Sequence, residues 1–114
     1  MTNLTTFLSF LQGEYRVITV NVTQDSSPID LSTASLIKWS VAQNERSSPV
    51  LTKSYPASGI TIPSPTDGQF LIQIDSDDTS GLDAGLYYHE AVYVIDDRKI
   101  VAIAGALRIR PTII

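Results

Sequence analysis

Cysteine is absent from all 114 residues. That excludes a disulfide frame and a thiolate metal site, so packing alone must hold the fold. It also fits assembly in a reducing compartment. Charge is scarce: 18% of residues are charged, below the roughly 25% of an average soluble domain. A surface this sparsely charged is expected to be covered in part by partners. Eight Lys and Arg against twelve Asp and Glu leave a net charge of −4, and no basic run exceeds Arg98-Lys99. Nucleic-acid binding needs clustered Lys and Arg, so no nucleic-acid partner is expected. No apolar run approaches the roughly 20 residues of a membrane span. No membrane partner is therefore expected, and the N-terminus lacks the basic start of a secretory signal.

What is present is alternation. Hydrophobic residues make up 43% of the chain, enough for one real core. Glu14 to Val22 alternates, with Ile18, Val20 and Val22 on one face, and ends in the turn cluster Gln24-Asp25-Ser26-Ser27-Pro28. Leu36 to Val41 places Ile37, Trp39 and Val41 inward. Val50 to Ser54 and Gly59 to Ile62 read as short strands. Gln69 to Ile74 puts Phe70, Ile72 and Ile74 on one face after the Asp67-Gly68 turn. Leu86 to Ile95 and Ile100 to Ile109 form a last hairpin, turning at Asp96-Asp97-Arg98. The run Leu4, Phe7, Leu8, Leu11 has helical spacing, so residues 1–11 are expected as a short helix or an extended arm ahead of a domain at 12–114.

About seven short strands with regular turn signals predict an all-β, antiparallel sandwich. Asp83-Ala84-Gly85-Leu86-Tyr87 sharpens this. An Asp-x-Gly-x-Tyr run leading into a long strand has the shape of a tyrosine corner, the mark of strand F in an immunoglobulin-like sandwich. An antibody domain has cysteine two residues later; here His89 stands there. The expected core is Ile18, Val20, Ile37, Trp39, Phe70, Ile72, Tyr87, Ile103 and Leu107, with the Tyr87 hydroxyl bonding a nearby carbonyl.

The chain also carries an ordered series of short motifs: Gln12-Gly13-Glu14, Pro28-Ile29-Asp30-Leu31-Ser32-Thr33-Ala34, Trp39 and Leu51-Thr52-Lys53. Gly59-Ile60-Thr61-Ile62, Asp67-Gly68, Asp78-Thr79-Ser80-Gly81-Leu82 and Gly85-Leu86-Tyr87-Tyr88-His89-Glu90 follow. In order and spacing this resembles the N-terminal immunoglobulin-like domain of baseplate upper proteins of tailed bacteriophages. The resemblance spans about Phe10 to Pro111. Glu14 stands where that family has Asp, and Ser32-Thr33 where it has Thr-Gly. The family continues into a fibre or second domain, whereas this sequence stops at Ile114. The resemblance implies a virion module without saying which part of the particle it occupies.

Chemical sites find little support. The acidic run Asp75 to Gly81 is set like a calcium loop, but Ser80 and Leu86 stand where an EF-hand needs Gly and Glu. It is expected as a solvated turn, with no cofactor and no metal. His89 is the only histidine and cannot build a zinc site alone. It is expected to be buried and hydrogen-bonded, as Trp39 is expected to fill core rather than serve as a ligand platform. No serine sits in Gly-x-Ser-x-Gly, and nothing selects a carboxylate pair for glycoside cleavage. An enzyme is not expected.

Three functional readings remain: a virion structural protein working by assembly with other phage proteins, a module binding host-surface carbohydrate, and a secreted adhesin domain. The first places the chain in the virion, assembled in the bacterial host cytoplasm. Assembly surfaces follow from misplaced apolarity. Tyr88, Glu90, Val92 and Val94 face away from the core set, an apolar stripe broken only by Glu90, with Ala102, Ala104 and Ala106 beside it. Exposed, such a stripe marks an interface, so a homo-oligomer or a neighbouring virion protein is expected there. Apolar residues near both ends, Leu4, Phe7, Leu8, Ile113 and Ile114, are expected to dock on another subunit.

Overall fold

Period-two alternation becomes a two-sheet sandwich in the computed structural model, which describes residues 4–5 and 7–113. The strands are β1 (Leu4–Thr5), β2 (Leu8–Leu11), β3 (Arg16–Asn21), β4 (Thr23–Gln24), β5 (Ser27–Pro28), β6 (Leu36–Ala42), β7 (Pro49–Tyr55), β8 (Ile60–Ser64), β9 (Gln69–Ile74), β10 (Gly85–Ile95) and β11 (Arg98–Arg110). The larger sheet runs β1-β11-β10-β6-β7, with β2 also on β11; the smaller runs β3-β9-β8. Apart from β1 and β2 the pairings within these sheets are antiparallel. This is an immunoglobulin-like β-sandwich: β3, β8 and β9 take the places of strands B, D and E, and β6, β10 and β11 those of C, F and G. β7 lies beside β6 as C′ does in variable-type domains.

The core lies between the sheets, where the alternating faces meet. Val20, Ile37, Trp39, Val41, Phe70, Ile72, Ile74, Ile103 and Leu107 are buried there, while Ile18 is half-buried against them. Each fully buried side chain of this size contributes about 1.5–3 kcal/mol. Tyr87 is buried too, and its hydroxyl donates to the Asp83 carbonyl at 2.7 Å, closing the corner four residues back. The hairpin turn holds Asp96 and Asp97 at φ 54° and 62°. Two successive left-handed residues are what a two-residue type I′ turn demands, and aspartate tolerates that backbone better than most residues. Arg98 belongs to β11 rather than to the turn.

Leu4–Thr5 and Leu8–Leu11 are extended, not helical. Leu4 pairs with Ile103, and Leu8 with Leu107, in one parallel register along β11. The helical spacing of this run misled because an edge strand needs only its alternate residues covered. Here those are Leu8, half-buried, and Phe10, buried opposite Ile109. Within the segment expected as an arm for a neighbour, Leu4–Thr5 and Leu8–Leu11 are thus laid on their own sheet, and residues 1–3 and 6 lie outside the described residues.

Asp75 to Gly81 is solvated as expected except at Asp78 and Thr79, but the turn is helical. Ser76–Ser80 forms one helical turn, α1, in which an Asp78 carboxylate oxygen accepts the Asp75 backbone N–H at 2.7 Å. The same oxygen takes the ammonium of Lys53 at 2.7 Å. Lys53 sits opposite Trp39 in β7 and is 9% exposed. A lysine so far removed from water needs that partner. Among the described residues no three His, Cys, Asp or Glu side chains come together as a metal cage requires.

Candidate functional site

The outer face of the larger sheet carries the side chains the core does not use. Strand β10 pairs with β6 on one side and β11 on the other, so register fixes which outward residues meet. Tyr88 lies opposite Ala42 and Ala106, Glu90 opposite Ser40 and Ala104. Val92 faces Lys38 and Val101, and Val94 faces Leu36 and Lys99. A groove of about 250 Å³ opens over this area, lined by Lys38, Ser40, Glu45, Tyr88, Glu90, Val92 and Lys99 among others.

Tyr88 is half-buried and its hydroxyl donates to Glu90 Oε2 at 3.2 Å. Burial, then the Glu90 charge and its hydrogen bond, then Glu45 push the Tyr88 phenol above its ordinary value. The phenol therefore stays a donor at neutral pH and holds one Glu90 carboxylate oxygen. The described residues hold two ion pairs, Arg16–Glu14 and Lys53–Asp78. Lys38, Lys99 and Glu45 are exposed and take part in neither. The face presents Lys38, Glu45, Glu90 and Lys99 around Val92.

Of the residues expected at an interface, Tyr88 and Val92 share this groove, and Val94 stands in the next row along the strand. The others do not join them. Leu8 is packed on its own core. Leu4 is in β1, paired with Ile103. Phe7 stands 60% exposed just before β2, and Ile113 is fully exposed beyond β11. Ile114 lies outside the described residues.

Two features of the face differ from the stripe read along β10 alone. Neighbouring strands add Lys38, Ser40 and Lys99, so the surface is mixed rather than apolar. The Leu36–Val41 alternation carried this signal, since placing Ile37 and Trp39 inward turns Lys38 and Ser40 outward. The alanine row is also interrupted. The register shifts between Ala91 and Val92, so Ile103 opposes Ala91 and Val101 opposes Val92. This bulge leaves Ala102 as the extra residue, buried, and Val101 takes its place on the outer face.

His89, the other residue singled out for chemistry, is fully buried on the inner face, where its Nδ1 accepts the Trp39 indole N–H at 3.2 Å. That places the imidazole in the core, out of reach of a substrate at the surface.

No family model matches the chain. None of the curated proteins matches it. Among solved structures, that of murine CRIg matches at 13% identity and a TM-score of 0.44, covering 93% of this chain and 92% of that one. At that level the likeness says nothing of what the chain does.

Proposed function

We propose that the chain is a structural protein of a tailed-bacteriophage virion, acting by protein–protein assembly as a tail, baseplate, fibre-attachment or head-decoration module. It is assembled in the bacterial host cytoplasm with other virion proteins as its partners, and it is not an enzyme.

One observation carries the reading. Two motif segments of the baseplate-upper-protein pattern, far apart in sequence, are bonded to each other. The Gly13 N–H donates to Thr79 Oγ1 at 2.9 Å, and the Gln12 side-chain amide donates to the Leu82 carbonyl at 2.7 Å. Thr79 is 1% exposed. A third segment shapes the chain ahead of β6. There Asp30 Oδ1 accepts the Ser32 N–H at 2.9 Å, forming an Asx-turn. Residues that recur by chance in turns need not meet in this way. The mixed, shallow outer face further supports assembly over catalysis.

Mass spectrometry of purified phage particles tests the reading. The chain should be present at a fixed copy number relative to the other virion proteins. Its absence from particles, or saturable binding on a glycan array, would move the reading to host-surface recognition.

A further inference from the structure

We propose that the outer face of the β6–β10–β11 sheet binds a second copy of this chain, through a two-fold axis running across the strands. The inference rests on the assembly reading and names its partner. It comes from the order of charges along the strands. Glu45 follows Ala42, which pairs with Tyr88 at one end of the groove. Next along the strand direction come Glu90, then Lys38 opposite Val92, then Lys99 opposite Val94 at the other end. The six-residue step from Tyr88 to Val94 spans about 20 Å at about 3.4 Å per residue. One end of the groove is acidic and the other basic.

Two such faces can stack about an axis along the strands or an axis across them. An axis along the strands, laid over β10, sets Glu90 over its own copy and each lysine over an apolar residue of its row on the far strand, Lys38 over Val101 and Lys99 over Leu36. An axis across the strands reverses the second sheet. Each strand then overlies its own copy, so Glu90 meets the row of Lys38, one strand away, and the Tyr88 row meets that of Lys99, twice over by symmetry. A contact of this kind is self-complementary, as a two-fold interface requires. Val92, with Val101 and Ala104 beside Val92 and Glu90, forms its apolar centre.

Charge also selects a second copy over other surfaces of the same molecule. The groove's two lysines and two glutamates cancel, so the net charge of −4 lies on the rest of the chain. Copies approaching by other faces meet net repulsion, while this face meets none. Lys38, Lys99 and Glu45 enter no ion pair among the described residues, so their charges remain available across an interface.

Sedimentation of the full chain at rising concentration, with charge exchange, tests this. The wild type should dimerise, less tightly as salt rises. Glu90→Lys and Lys38→Glu should each weaken the dimer at least about tenfold, since like charges then face one another. Lys99→Glu gives an independent variant at the exposed end and should act in the same direction. All are outward substitutions, and thermal melts should show the fold intact. The double exchange Glu90→Lys with Lys38→Glu should recover most of the lost affinity, which a merely structural role would not produce. A chain still monomeric near 1 mM, about the weak limit of specific affinity, overturns the proposal. So does a dimer indifferent to the single changes, or a double variant worse than both. A dimer absent from phage particles leaves this inference standing and removes the virion reading; a monomer found in particles does the reverse.

Discussion

The indole N–H of Trp39 donates to Nδ1 of His89 across 3.2 Å, with both side chains fully buried. The two rings are tilted at 56°, with centroids 6.3 Å apart. In antibody domains the strand-C tryptophan packs on a disulfide that includes the cysteine two residues after the corner tyrosine. Here that position accepts a hydrogen bond instead. Since the indole can only donate, Nδ1 carries no proton and the imidazole is neutral with its hydrogen on Nε2. Trp39→Ala should cost about 3–5 kcal/mol in chemical denaturation. Trp39→Phe keeps most of the volume but removes the donor, and should cost about 1–3 kcal/mol. Nitrogen NMR shifts of His89 should report the Nε2–H tautomer.

Two tyrosines of the same strand should respond in opposite ways to loss of the hydroxyl. Tyr87→Phe removes the bond to the Asp83 carbonyl and should cost about 0.5–1.5 kcal/mol. The Tyr93 hydroxyl is buried and has no hydrogen-bond partner among the described residues. Tyr93→Phe should leave stability unchanged or raise it by up to about 1 kcal/mol. Paired urea melts measure both, and equal losses would contradict the assignment.

Gly68 joins backbone conformation to close approach. Its φ is 66°, and an added Cβ would lie 2.5 Å from the Val22 carbonyl oxygen and 2.8 Å from the Ile29 nitrogen. Gly68→Ala should therefore cost more than the roughly 1–2 kcal/mol of left-handed backbone alone. Gly81→Ala, where nothing lies within 4 Å of the new carbon, should be near neutral. A difference of less than about 1 kcal/mol in melts of the two variants would refute the steric account.

The N-terminal strand should behave as part of the core rather than as a detachable arm. Phe10 is 2% exposed and pairs with Ile109, and the Arg16 guanidinium lies 5.5 Å from its ring centre. Phe10→Ala should cost about 3–5 kcal/mol, and deletion of residues 1–9 should lower the melting temperature. A truncated chain with unchanged melting would return this segment to a docking role.

Alkaline pH should unfold the protein earlier than ordinary tyrosines would. Burial raises the phenols of Tyr87, Tyr88 and Tyr93, with nearby carboxylates adding to the first two. A raised folded value favours the protonated phenol in the native state. The stability it gives is complete below the unfolded value of about 10 and is lost as pH rises through the folded values. Melting temperature followed from neutral to alkaline pH should hold steady and then fall above about pH 10. The phenolate absorbance of Tyr87, Tyr88 and Tyr93, isolated by Tyr→Phe difference spectra, should appear with unfolding rather than before it.

The sequence alone determined the sandwich, because strand alternation is local. Ile37-x-Trp39-x-Val41 and Phe70-x-Ile72-x-Ile74 can bury one face only if paired with another sheet, and both triplets are in the core. The corner was local too, since Asp83 and Tyr87 lie within one turn of chain. It also assigned the two faces of β10 correctly, and with them Tyr88 and Val92. Tertiary structure decided what depends on neighbours distant in sequence. Leu4 to Leu11 reads equally well as helix or strand, and pairing with the open edge of β11 makes strands of Leu4–Thr5 and Leu8–Leu11. The Ala102 bulge is a register event between two strands, invisible along either one. Lys53 meets Asp78 and Gly13 meets Thr79 because sheet packing closes those gaps. The outer groove has the same origin: its charges lie on β6, β10, β11 and the loop after β6, and only their pairing sets acidic and basic ends in line.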